Sequence, residues 1–280
     1  MSIKTFYSDR YYHIKSFAVH AVFAVLLCVL LYNWHDSSFY EFQFSPLRAV
    51  LYIVLGIYWG GLSAVFIHNA THNSFPNKFL NEICGQIAGI HQLWGFMGWK
   101  VIHLFHHQYS DRNDRDPHSP KGKTFGQFLK GMFFLSSRSI SERYREHWGL
   151  NTKTKILHTG VLVLFHIMAV SYLLFWYLLL GTEGFLFFYI PSLAFNHWFF
   201  AYINYYCHPV DPVTGDTAAA NLDETLHQKL VNFLWFGIYY HGNHHKRPQL
   251  FNPKYMVASA PRSATLSPQV AYARNSENHG

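Results

Sequence analysis

Long apolar runs alternate with short polar breaks along this chain, in the rhythm of membrane-spanning helices. Four runs stand out, at residues 17–34, 47–67, 156–180 and 184–203. Each reaches or approaches the roughly 20 mostly apolar residues that a helix needs to cross hydrocarbon. The break between the first two is short, and so is the break between the last two. The pattern therefore predicts two helical hairpins. A fifth stretch, 83–102, is long enough to span but holds Gly85, Gly89, Gly95 and Gly98 with Gln86, His91 and Gln92. It is expected to be interfacial or re-entrant. Shorter apolar stretches at 125–135 and 231–240 are expected to lie along the interface. Residues 1–260 read as one domain, and 261–280 as a polar, flexible tail.

Composition agrees with a membrane setting. Only 13% of the 280 residues are charged, against about 25% in soluble domains, while 50% are hydrophobic and 19% aromatic. The net charge of +7 comes without a dense basic run. A negatively charged membrane face is thus the expected partner rather than nucleic acid. Lys4, Arg10 and Lys15 precede the first run, but no small-residue cleavage site follows it, so an uncleaved anchor is expected. Cys28, Cys84 and Cys207 show neither paired nor zinc-like spacing.

The basic residues also orient the chain. Of 22 Lys and Arg, 21 fall in 1–16, 68–155 and 204–280, and only Arg48 lies elsewhere. By the positive-inside rule, both termini and the long middle segment are expected in the cytosol.

Histidine carries the chemistry. His103, His106 and His107 form one His-x-x-His-His pattern, and His241, His244 and His245 form another. His68 and His72 add a His-x-x-x-His pair. Offsets of three and four put side chains on one face of a helix, so each cluster aims two or three imidazoles at one place. The orientation drawn from Lys and Arg puts all three clusters on one side of the membrane, although it used no histidine. Asn204 and His208 are four apart, which makes His208 a ninth candidate ligand and Asn204 a candidate to hold a metal-bound water. His197, seven before Asn204, falls on the same stripe as a candidate supporting residue. After the second cluster comes a run from Asp111 to His118, in which Asp116 is the carboxylate expected to hold the far nitrogen of a ligating imidazole. Nine imidazoles exceed the four ligands of tetrahedral zinc and suit two metals of four or five ligands each. A soluble carboxylate-bridged di-iron protein would show paired Glu-x-x-His motifs. Glu224 and His227 give one such match, read as chance.

The boxes His68-Asn-Ala-Thr-His72, His103-Leu-Phe-His106-His107 and His241-Gly-Asn-His244-His245 resemble, in order and separation, those of the membrane fatty acid desaturase superfamily. That superfamily also includes alkane hydroxylases and carotenoid ketolases. Asp116-Pro-His118-Ser-Pro is similar to acyl-chain desaturases acting at the ninth carbon. The three-residue gap in the first box is similar to acyl-lipid desaturases and ketolases. Asn204-Tyr-Tyr-Cys-His208 resembles the family's Asn-x-x-x-His element. The resemblance implies an all-α integral membrane fold, with four transmembrane helices carrying a cytosolic helical cap that holds two Fe ions and activates O2. It implies an acyl substrate carried on CoA, carrier protein or lipid, in a tunnel to which Trp94, Phe96 and Trp99 are candidate contributors. It also implies electrons from a separate donor such as a ferredoxin or cytochrome b5. Desaturation is the expected reaction. Hydroxylation, ketolation or decarboxylation on the same scaffold is the alternative, and a non-catalytic metal or haem protein is a further one.

Overall fold

The computed structural model describes residues 3–34, 36–110, 115–211 and 213–256. The tail 261–280, Asp111 and Asp114 lie outside the described residues. Among the described residues the chain is helical throughout, with a single isolated β-bridge between Val210 and Thr217. A short α1 (Ile3–Ser8) leads into α2 (Tyr12–Tyr32). Next come α3 (Pro46–Thr71), α4 (Lys78–His91), α5 (Gly95–Tyr109) and α6 (Phe125–Trp148). They are followed by α7 (Thr152–Gly184), a π-helical turn (Phe185–Tyr189), α8 (Ile190–Tyr206), α9 (Leu226–Leu234) and α10 (His241–Lys246).

Among the described residues, three helical stretches are long and apolar enough to cross a membrane: Tyr12–Tyr32, Pro46–Thr71 and the continuous run Thr152–Tyr206. The last is 55 residues long, or about 80 Å at 1.5 Å per residue, far beyond a 30 Å hydrocarbon layer. Gly181 breaks it with φ of 66° and ψ of −179°, in the region where only glycine is unstrained. Contacts on either side of that break fix the packing. Cys28 on α2 donates to the Ser171 carbonyl of α7 at 3.0 Å, and Phe17 packs on Phe165. These pairs advance in step, so α2 and α7 run side by side in one direction. Beyond the break, Asn196 on α8 donates to the Gly60 carbonyl of α3 at 2.8 Å. A Cβ on Gly60 would collide with the Ser192 carbonyl, so the close approach of α3 and α8 requires glycine. The break at Gly181 is tied to the turn before α3: Thr182 donates to the Tyr40 carbonyl at 2.6 Å, and Arg48 pairs with Glu183 at 2.6 Å.

The apolar stretch 83–102 proves to be two helices that double back. The reversal lies at 92–95, where Leu93 and Gly95 both adopt φ of 64°. Phe96 at the start of α5 fills the space left by Gly85 and Gly89 of α4. The two other short stretches have different bounds from those the sequence predicts. Residues 125–135 begin a 24-residue helix that continues to Trp148, started by a Thr124–Gln127 capping box and continued by polar i,i+4 pairing such as Arg138 with Glu142. At 231–240 the helix starts earlier, at Leu226, behind a Thr225–Gln228 capping box, and residues 235–240 form the turn into α10.

Candidate metal centre

Four regions of the chain bring imidazoles together. The C-terminal end of α3 supplies His68 and His72, and α5 supplies His103, His106 and His107. His208 follows α8, and α10 supplies His241, His244 and His245. These nine form two groups. His68, His72, His103, His107 and His244 make one, and His106, His208, His241 and His245 make the other. Within each group the potential ligand atoms all lie within 4.8 Å of one another.

The division crosses the sequence boxes by a simple rule. In the second box, the i,i+4 pair His103 and His107 enters the first group, and His106 points to the other. In the third box, the i,i+4 pair His241 and His245 enters the second group, and His244 returns to the first. On a helix, residues four apart differ by about 40° in direction and adjacent ones by about 100°, which produces this split.

The nitrogen contacts suit cations. In the first group, Nε2 of His103 lies 2.9 Å from Nε2 of His72 and 3.1 Å from Nε2 of His107, which lies 3.0 Å from Nε2 of His244. In the second, Nε2 of His241 lies 3.1 Å from Nε2 of both His208 and His245. An imidazole nitrogen either donates one hydrogen bond or accepts one. Hydrogen bonding alone therefore satisfies at most two of the three contacts in the first chain and one of the two in the second. The remaining lone pairs face one another, an arrangement that a shared cation would make favourable. His68 Nε2 and His106 Nε2 are also buried without a hydrogen-bond partner. For metal–nitrogen bonds of about 2.1 Å, donors at right angles stand about 3.0 Å apart and tetrahedral donors about 3.4 Å. The contacts observed fit the right-angled geometry of a five- or six-coordinate ion better than tetrahedral zinc. The residues present thus fit two metal ions of that geometry, iron among them.

Burial favours the neutral form of seven of these imidazoles. Burial is the main cause that holds His72, His103, His107, His241, His244 and His245 well below the usual imidazole pKa, with neighbouring imidazoles adding to it. Burial likewise lowers His208 to about 3. Neutral imidazole is the form that binds metal.

Behind the second group stands Asp116. Its side chain is 1% exposed, and its Oδ1 accepts from His106 Nδ1 at 2.9 Å and from the His118 backbone N–H at 2.8 Å. Burial pushes the carboxyl pKa up, but the contact with His106 and these bonds outweigh it and the net direction is down. The carboxylate fixes the tautomer of His106 and leaves Nε2 free to face the centre. The third box is held by a reciprocal amide pair: Asn221 donates to Asn243 Oδ1 at 3.0 Å, and the Asn243 N–H donates to Asn221 Oδ1 at 3.0 Å.

The other candidates divide. Asn204 is buried, and its amide donates to the Phe200 carbonyl at 2.8 Å. His197 lies apart from both groups, with Nε2 3.1 Å from the Leu129 carbonyl of α6. Trp99 stacks on His103, with ring centroids 5.7 Å apart and planes 13° from parallel, while Trp94 packs on Phe165. The sequence alone assigns no role to His118. It is buried behind His106, ring to ring at 5.4 Å, and its Nε2 meets Ser136 Oγ at 3.1 Å. Its place two residues after Asp116 was the available signal.

The site defines a class: among the described residues, two histidine clusters able to hold metal, at the end of long apolar helices. Residues 44–264 match the fatty acid desaturase family model, and the chain belongs to that family. It is 27% identical over 243 residues to Delta-9 acyl-lipid desaturase 1 of Arabidopsis thaliana, covering 83% of this chain and 71% of that protein. Delta-9 acyl-lipid desaturase 2 of the same plant is 26% identical over 249 residues, covering 82% and 69%. Its chloroplastic palmitoyl-monogalactosyldiacylglycerol delta-7 desaturase is 30% identical over 122 residues, covering 43% and 29%. No solved structure matches the chain.

Proposed function

We propose that this protein is an O2-dependent di-iron desaturase that introduces a double bond into a fatty acyl chain held in the membrane. The observation that carries this is the convergence of nine imidazoles into groups of five and four. The lipid-desaturase relatives support an acyl chain as the substrate class. A methylene pair has neither an acidic proton nor a leaving group, so acid–base chemistry cannot open it. The irons would supply the oxidising power of O2, and the protein supplies orientation and a dry site. In the balanced reaction, CH2–CH2 loses two hydrogens while O2 takes up two electrons and two protons, and two waters leave. The electrons come from a separate donor such as a ferredoxin or cytochrome b5.

The chain's own residues have assigned tasks. His68, His72, His103, His107 and His244 hold one iron, and His106, His208, His241 and His245 hold the other. Asn204 would hold a metal-bound water, Asp116 fixes His106, and His197 ties α8 to α6. Four spans are proposed: α2, α3, α7 up to Gly181, and α8. The in-step pairing of α2 with α7 and of α3 with α8 supports them, as do the contacts between the break at Gly181 and the turn before α3. The bias of Lys and Arg puts the histidine end and both termini in the cytosol.

Expression in a host lacking desaturases, with mass spectrometry of its lipids, tests the reaction. A new monounsaturated acyl chain is expected. A hydroxylated, ketone-bearing or shortened chain would replace desaturation with another oxidation on the same centre, and unchanged lipids would count against an acyl substrate.

A further inference from the structure

We infer that residues 221–240 form a re-entrant element, sunk into the leaflet on the histidine side, whose exposed face meets acyl chains. The element is closed at its base, where the Leu222 N–H donates to the Tyr239 carbonyl at 2.9 Å. Asn232 braces it from within, donating to the Leu222 carbonyl at 3.0 Å and accepting from the Tyr239 N–H at 3.0 Å. Its far end is Trp235, and two helices give the depth of that residue independently. On α3, Trp235 donates to the Tyr58 carbonyl at 3.2 Å and lies against Gly61, where a Cβ would collide with its ring. Gly61 and Tyr58 precede His68 by seven and ten residues, or about 10 and 15 Å along a helix. On α8, Trp235 packs on Phe199 and Phe195 at 5.1 and 5.6 Å. These precede His208 by nine and thirteen residues, or about 13 and 20 Å. Both measures put Trp235 well below the metal centre, level with the middle of α3.

From that level toward its N-terminus α3 presents Tyr58, Leu55, Val54 and Leu51 outward, each 42–58% exposed. The outer face of α9, which leads into Trp235, is apolar as well, with Leu226 84%, Leu230 52% and Phe233 81% exposed at offsets of four and three. A Phe and two Leu this open, beside the lipid-facing side of a span, are covered by lipid and not by water. Lys229, exposed on the flank, is long enough to return its ammonium to the headgroups. Because Tyr239 is bonded to Asn232, immersion of α9 also fixes the height of His241 and the rest of the third box.

The inference rests on reading α3 and α8 as spans, and its test separates the two. In nanodiscs of phosphatidylcholine and phosphatidylglycerol, single nitroxide labels would be placed by Leu230→Cys and Phe233→Cys, with Cys28, Cys84 and Cys207 replaced by Ala. Val54→Cys on α3 and Val213→Cys, 91% exposed in a loop, serve as references. At 230 and 233, collisions with oxygen should exceed those with a water-soluble nickel chelate, as at 54 and opposite to 213. Labels at 230 and 233 that behave like 213, while 54 reports lipid, would overturn the inference alone. All four sites reporting water would overturn the span reading with it. A photo-crosslinking phenylalanine analogue at 233 needs no cysteine replacement. Lipid adducts are expected from it, and their absence together with crosslinks to water-soluble probes would contradict immersion.

Discussion

Replacing Asp116 perturbs one ligand without touching the centre itself. Its carboxylate receives two hydrogen bonds, from His106 Nδ1 at 2.9 Å and from the His118 N–H at 2.8 Å, at a side chain only 1% exposed. In Asp116→Asn the amide oxygen still accepts both, but as a neutral group. A hydrogen bond to a charged partner contributes about 1.5–3 kcal/mol and a neutral one about 0.5–1.5. The change therefore costs roughly 1–1.5 kcal/mol at His106, or about tenfold in metal affinity. Asp116→Ala strands both buried donors, and the about 1–3 kcal/mol lost at His106 amounts to roughly ten- to a hundredfold in metal affinity. Because His106 belongs to the four-histidine group, that group should lose its metal first. Elemental analysis of purified variants during chelator titration reads this directly. About two metals per chain should fall to about one in Asp116→Ala before the five-histidine group is touched. Wild-type chelator resistance in Asp116→Ala would refute the role assigned to this carboxylate.

Three further outcomes follow from the same geometry. His106→Ala and His244→Ala should each abolish product formation while the protein remains in membrane fractions, because each removes a ligand from a different group; activity retained in either contradicts the ligand assignment. Lowering the pH should destabilise the metal-free protein and release metal from the loaded one. His208 costs nothing above about 6.5, where it is neutral folded or unfolded, and the penalty grows as pH falls from there toward about 3; thermal melting of the metal-free form that is flat across pH 7 to 4 would contradict this. Gly60→Ala pushes α3 away from the Ser192 carbonyl of α8, at about 1–3 kcal/mol for overpacking, and should lower both melting temperature and metal content, since α3 carries His68 and α8 leads to His208.

Much of the clustering was legible in the sequence because its imidazoles come in helical spacings. His68 with His72, His103 with His107, and His241 with His245 each have to share a face, and Asp116 stood close enough in sequence to brace one of them. The assignment of imidazoles to two groups was not legible, because it depends on how α5 and α10 are turned toward each other. His197 shows the limit of the same reasoning. Its spacing to Asn204 defined a stripe on α8, but α6 packs against that helix and takes its hydrogen bond at the Leu129 carbonyl. The apolar runs gave the long helices, while the joint at Gly181 needed contacts with Tyr40 and Arg48 to be seen as tied to the turn before α3. Hydropathy marked 231–240 as interfacial, whereas the exposed apolar face lies on 226–234, because Trp235 turns inward to fill the space beside Gly61.

Iron quantification joined to X-ray absorption on the purified full chain addresses the central claim most directly. About two irons per chain, ligated by nitrogen and oxygen at distances typical of imidazole and without a haem band, is the expected result. A single metal, a tetrahedral zinc or no bound metal in active protein would contradict it.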